Sequence, residues 1–219
     1  MTSLGDMENK IAEKISKRKD SIVRQSITYW LWFKKKILEN KTMRKWFQSK
    51  PELDRPSFAQ HVKSKFNPNK FPASVQRSTP RKSEFITDCW NYYRSLLLSS
   101  LPYKVHDTKF GLGIWVKESF DSSLLWGTLI RLDDNTFQAF TKEKYPSLFS
   151  SKGIGYTMVG PLALVNHSCT SELGFSSEKL VLEVNEIRVY IKPRVNLEKG
   201  KEVLVRYCDK EELWFHCKC

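Results

Sequence analysis

The sequence predicts an α+β protein, a basic helical N-terminal region followed by a mainly β domain, from three observations. Up to about residue 100 the apolar side chains recur at helical spacing, whereas from Lys104 they fall into short β-branched or aromatic runs separated by turn residues. Charge divides at the same place: residues 1–100 carry 21 Lys+Arg against 9 Asp+Glu, a net of +12, and residues 101–219 carry 16 against 15, a net of +1. With 219 residues, 40% hydrophobic and 13% aromatic, the chain can bury the core of one sizeable domain and an accessory one.

Residues 1–20 are polar and lysine-rich. Asp20-Ser21 is placed to cap a helix in which Val23, Ile27, Trp30, Leu31, Ile37 and Leu38 share a stripe around Lys34-Lys35-Lys36; it continues or restarts through Met43, Trp46 and Phe47 and is stopped by Pro51. Phe58, Val62 and Phe66 mark a short helix, and residues 67–83, with Pro68, Pro72 and Thr79-Pro80-Arg81-Lys82, read as a basic loop. A further helix runs from Ser83 with Phe85, Ile86, Trp90, Tyr93 and Leu97 inward, Cys89 within it as a small core residue, and ends before Pro102. Strands are expected at Ile114–Val116, Leu124–Ile130, Leu162–Val165, Leu180–Val184, Ile187–Ile191 and Val203–Val205, with turns at Asp133-Asp134-Asn135, Gly153 and Glu198-Lys199-Gly200.

The basic half fits a polyanionic partner, nucleic acid or an acidic protein face, although lysines on a solvated helix surface give the same composition. Five cysteines without even spacing, and no charged-apolar-small leader, argue against a disulfide-bonded secreted protein. The longest apolar runs, such as Tyr29–Phe33, are too short to span a bilayer. An intracellular, reducing location is expected.

Chemistry concentrates at Asn166-His167-Ser168-Cys169, where an amide, an imidazole, a hydroxyl and a thiol follow the apolar run Pro161–Val165. Alone this is also ordinary loop composition, since such side chains bond their own backbone. Upstream, Gly111-Leu112-Gly113 opens the β-type run Ile114-Trp115-Val116; downstream, Gly200-Lys201-Glu202-Val203-Leu204-Val205-Arg206-Tyr207 joins a turn glycine to a strand that delivers a tyrosine, and Cys217-Lys218-Cys219 follows.

In this order and spacing, residues 105–219 resemble the SET-domain family of protein lysine methyltransferases. The resemblance implies a SET-like domain over 104–207 whose C-terminal segment threads a loop as a pseudoknot, setting Asn166-His167 beside Tyr207, after a helical region 1–103 and before a partial post-SET-like tail 208–219. It implies S-adenosyl-L-methionine as cofactor, held at Gly111, Leu112, Gly113, Asn166 and His167, with Trp214 or Phe215 closing over the adenine or walling the lysine channel. Tyr207 is implied as the catalytic residue that orients the amine, and Arg194 as structural. Cys169, Cys217 and Cys219 are implied as ligands of one zinc, the fourth being Cys208, His216, a water or further cysteines. The family pattern has Pro-Asn where this chain has Ser171-Glu172, Asp or Asn where it has Arg206, Gly where it has Cys208, and Tyr-x-Gly where Trp126-Gly127 is the nearest equivalent. The substrate class implied is a histone or another basic chromatin protein, and the location nuclear. The alternatives are a SET-like module of weak turnover that binds chromatin or nucleic acid through residues 1–100, and a cysteine hydrolase using His167 and Cys169.

Overall fold

The computed structural model describes residues 22–67, 71–72, 79–142, 148–151, 154–178 and 186–207. The fold is α+β. Its helices are α1 (Ile22–Phe33), α2 (Lys41–Ser49), α3 (Arg55–Lys65), α4 (Thr79–Leu96) and α5 (Asp134–Lys142). Its strands are β1 (Tyr103–Thr108), β2 (Gly111–Val116), β3 (Phe120–Asp121), β4 (Trp126–Arg131), β5 (Leu148–Ser151), β6 (Ile154–Val159), β7 (Asn166–His167), β8 (Gly174–Glu178), β9 (Glu186–Lys192), β10 (Asn196–Leu197) and β11 (Leu204–Val205). They form two compact units, one of residues 1–100 with 131–157, the other of 101–130 with 158–219.

The first unit is built around α1, whose residues Ile27 to Phe33 are all buried, so this stretch has no solvent face. Its aromatic rings meet those of α4 edge-on, Tyr29 with Phe85 at 5.2 Å and Trp30 with Tyr92 at 5.0 Å. Instead of continuing, the helix widens into a π-turn over Lys34–Leu38, and α2 restarts at Asn40, whose side chain accepts the amide hydrogen of Met43 at 3.1 Å. Buried Arg44 donates to the Leu38 carbonyl at 2.5 Å and so satisfies an acceptor at the end of the π-turn. Asp54 caps α3 in the same way by accepting from Ser57 N at 2.7 Å, and Phe47, Phe58 and Tyr93 bring α2, α3 and α4 together at ring distances of 5.1 to 5.6 Å. Cys89 is fully buried on α4, and burial, then Asp88, pushes its thiol pKa well up.

Of the continuation or restart expected for the stripe from Val23 to Phe47, the structure shows the restart, two helices around a π-turn with Asn40 capping the new start. Two sequence expectations in this unit need correction. The helix expected from Ser83 begins at Thr79, because proline is tolerated in a first turn whose amide hydrogens have no helical acceptor, so Pro80 starts the helix rather than excluding it. Asp133-Asp134-Asn135, expected as a turn, leads into α5, and Phe137 of that helix covers Gly155, where a Cβ would stand 2.2 Å from its ring.

The second unit is mainly β. β1 and β2 form an antiparallel hairpin from Tyr103↔Val116 to Thr108↔Gly111, in which Gly111 takes φ +113, a value that L side chains rarely adopt. β3 pairs with β10, and β9 pairs antiparallel with β4 on one side and β8 on the other. β7 and β11 run parallel, Leu204 opposite Asn166 and Val205 opposite His167. The strand expected at Leu162–Val165 is instead a 3-10 turn over Pro161–Leu164: Gly160 at φ +90 and the fixed φ of Pro161 reverse the chain, and Ala163 N donates to the Gly160 carbonyl at 3.1 Å. Ser122–Leu124 likewise forms a 3-10 turn, capped by Asp121, so the strand expected from Leu124 starts at Trp126. Asp20-Ser21, Gly153 and Leu180–Val184 lie outside the described residues. Among the described residues no helix is long and apolar enough to cross a membrane.

Candidate functional site

Three stretches distant in sequence meet in the second unit because residues 200–203 run along β2. Gly200 N donates to the Val116 carbonyl at 3.0 Å, Val116 N to the Lys201 carbonyl at 2.9 Å, and Val203 N to the Ile114 carbonyl at 2.8 Å. That pairing aims β11 at β7, and Ser168 N completes it by donating to the Val205 carbonyl at 3.0 Å. Val203 and Val205 are buried beneath, so the register is held by packing as well as hydrogen bonds.

Asn166 is the polar junction of the three stretches. Its Nδ2 donates to Glu202 Oε1 at 2.7 Å and lies 3.2 Å from Thr108 Oγ1 and 3.3 Å from the Leu112 carbonyl. Gly113 is required by this junction: a Cβ there would stand 2.6 Å from Glu202 Oε1 and 2.6 Å from Thr108 Cγ2. At Gly111 the space is open, with nothing within 4 Å of a Cβ position. Leu112 is half-buried between them.

His167 joins the junction to Tyr207. The Tyr207 amide donates to His167 Nδ1 at 3.1 Å, and the two rings are 5.2 Å apart. Because Nδ1 accepts, the ring hydrogen sits on Nε2, 3.1 Å from Cys169 Sγ. Burial, then the Arg206 charge, lowers the His167 pKa, which favours this neutral tautomer. An Nε2 that already carries hydrogen cannot take the proton of the thiol, so the geometry opposes the hydrolase expectation for His167 and Cys169. Tyr207 packs on Phe175 and donates its hydroxyl hydrogen to the Val165 carbonyl. Burial, with a smaller contribution from Glu202, raises the Tyr207 pKa far above its ordinary value, so the hydroxyl stays protonated at neutral pH. Arg206, which stands where an acidic or amide residue was expected, donates from Nη2 to the Cys169 carbonyl at 3.1 Å.

The fold therefore brings together Gly111, Leu112, Gly113, Asn166, His167, Cys169 and Tyr207, while Trp214, Phe215, Cys217 and Cys219 lie outside the described residues. Among the described residues no group of three or more His, Cys, Asp or Glu side chains could hold a metal ion. Sequence reasoning assigned no role to Glu202 and Thr108. Glu202 stood within the quoted Gly200–Tyr207 run, but an acid beside a turn carries no mark of its partner until β2 and residues 200–203 pair.

No protein-family model and no curated protein matches the chain. A crystal structure of a Plasmodium falciparum protein described as a "putative histone methyltransferase" is similar to it at 16% identity with a TM-score of 0.39, over 52% of this chain and 96% of that one.

Proposed function

We propose that the chain is an S-adenosylmethionine-dependent protein lysine N-methyltransferase of the SET type, acting on a histone or another basic chromatin protein in the nucleus. The observation that carries this reading is the junction at Asn166, where the Gly111–Gly113, Asn166–Cys169 and Gly200–Tyr207 motifs meet. The groups around it suit a cationic cofactor: the Leu112 carbonyl, the Glu202 carboxylate and the Thr108 hydroxyl are acceptors, and the backbone at Gly111 is uncovered. Gly111, Leu112, Gly113, Asn166 and His167 would hold S-adenosylmethionine, which when bound supplies an electrophilic methyl group on a sulfonium.

The remaining chemistry belongs to the chain. Tyr207 gives its hydroxyl hydrogen to the Val165 carbonyl, so toward a substrate amine its phenol oxygen would act as an acceptor that turns the nitrogen lone pair toward the methyl group. A phenol kept neutral by burial does this without adding a negative charge that would hold the lysine protonated. His167, accepting from the Tyr207 amide, fixes the backbone that carries the phenol.

Calorimetric titration with S-adenosylmethionine tests the reading. Wild type should bind, and Asn166→Ala should bind at least about tenfold more weakly, the scale of one lost charge-assisted hydrogen bond. Equal affinity in the two would remove Asn166 from the site, and an absence of heat in a folded wild type would overturn the cofactor assignment.

Zinc on Cys169, Cys217 and Cys219 belongs to the same reading. Its support is the donor set of three thiols, with the His167 Nε2 hydrogen directed at Cys169 Sγ as a second-sphere donor would be. Metal content per chain should be close to one zinc in wild type and fall in Cys169→Ser; a metal-free wild type prepared without chelators contradicts it.

The second reading, a module of weak turnover that docks on nucleic acid or chromatin, is favoured by the net charge of +12 on residues 1–100. Wild type that binds cofactor and transfers no methyl group would select it.

A further inference from the structure

We propose that the solvent side of the α2–α3 pair is a docking surface for the phosphate backbone of nucleic acid, centred on Lys45, Lys50 and Lys65 around the stacked Trp46–His61 pair. This deepens the second reading and leaves methyl transfer untouched if it fails.

From residue 41 to 66 the chain holds seven Lys+Arg against two Asp+Glu, and neither α2 nor α3 contains an acid. Both acids lie in the connection between the helices, where the Asp54 carboxylate is engaged as the α3 cap. Lys41 and Lys45, four residues apart, share one face of α2 and are exposed, as are Lys50, Lys63 and Lys65.

Packing then concentrates these cations. Trp46 of α2 and His61 of α3 stack with ring centroids 3.7 Å apart and planes 6° from parallel, which locks the two helices side by side. Lys50 Nζ lies 5.4 Å from the Trp46 centroid, and Lys65 stands four residues beyond His61 on α3. The Lys50 and Lys65 positions thus flank the stacked pair from different segments, and the charges of Lys65 and Lys50, after burial, lower the His61 pKa. Convergent like charges cost folding energy unless a partner of opposite sign covers them. A linear polyanion satisfies them together, and the half-exposed indole–imidazole pair gives sugar or base edges an apolar surface beside the phosphates. An acidic protein face offers carboxylates but no such repeating line of charge.

The test measures anisotropy of a fluorescein-labelled oligothymidylate of about 20 nucleotides and of a duplex of similar length, with the full chain, across a salt series. Wild type should bind both with little sequence preference, log affinity falling linearly with log salt. K45E/K50E/K65E should lose on the order of tenfold or more in affinity and reduce the salt slope by about 2 to 3. K45Q/K50Q/K65Q, which adds no repulsion, should show the same slope reduction with an unchanged circular dichroism spectrum. The comparison triple K82E/R94E/K104E makes the same charge change at other exposed positions and should retain most of the binding. The proposal is overturned if wild type does not bind, if both glutamate triples lose affinity equally, if the glutamine triple keeps the full slope, or if soluble polyglutamate competes as well per charge as the oligonucleotide.

Discussion

His61 shows how one side chain carries both packing and pH response. Its ring lies flat against Trp46 and edge-on to Phe47, and burial, then Lys65 and Lys50, holds its pKa below the ordinary value. The folded state thus binds the proton more weakly than the unfolded chain, so the stabilising contribution is complete above the unfolded pKa of about 6.5 and is lost as pH falls from there through the folded value. Thermal melts of wild type should therefore drop more steeply between about pH 7.5 and 5.5 than those of His61→Phe, which stacks without titrating. Parallel curves for the two would mean that His61 titrates as an ordinary exposed imidazole. Nothing in the sequence around His61 marks this role. The Trp46 stripe was legible as a packing face, but which ring meets it depends on the angle that α2 and α3 adopt after the Pro51–Asp54 connection.

Among the elements, the helix starts are local chemistry and the strand ends are not. Asn40 holds the start of α2 by one hydrogen bond to Met43 N, so Asn40→Ala should lower unfolding free energy in urea by about 1 kcal/mol. A change below a few tenths would show that Arg44 and the π-turn hold this junction without the cap. The helical periodicity of α1 and α4 was legible because it is written in the chain, but the one-sided stripe expected for α1 is not what forms, since Ile27 to Phe33 are buried on every side. The start at Thr79 was missed because Pro80 reads equally as loop or first turn, and the 3-10 turn over Pro161–Leu164 because a short apolar run does not declare its period. At the site, Gly111–Gly113 and Asn166–Cys169 were legible as local motifs. Thr108 and Glu202 were not, since their roles arise only when β1, β2 and residues 200–203 assemble around Asn166.

For the whole molecule, the β1–β2 hairpin, the 166–169 turn and the 200–207 segment place an amide junction, a neutral imidazole and a half-buried phenol within one unit. No two of these stretches are close in sequence, so a slip in the β7–β11 register would exchange the face that His167 presents and uncouple Tyr207 from it. If the chain is the methyltransferase proposed, the assembled unit moves a methyl group and the Tyr207 hydroxyl acts at the amine rather than at the cofactor. The direct measurement is transfer of isotopically labelled methyl from S-adenosylmethionine to mixed histones and cell-extract proteins, with wild type and Tyr207→Phe side by side and the labelled side chain identified by mass spectrometry. The predicted result is label on lysine with wild type, and loss of most of the rate in Tyr207→Phe at unchanged cofactor affinity. Full rate in Tyr207→Phe, or a folded wild type that binds the cofactor and labels no protein, would contradict it.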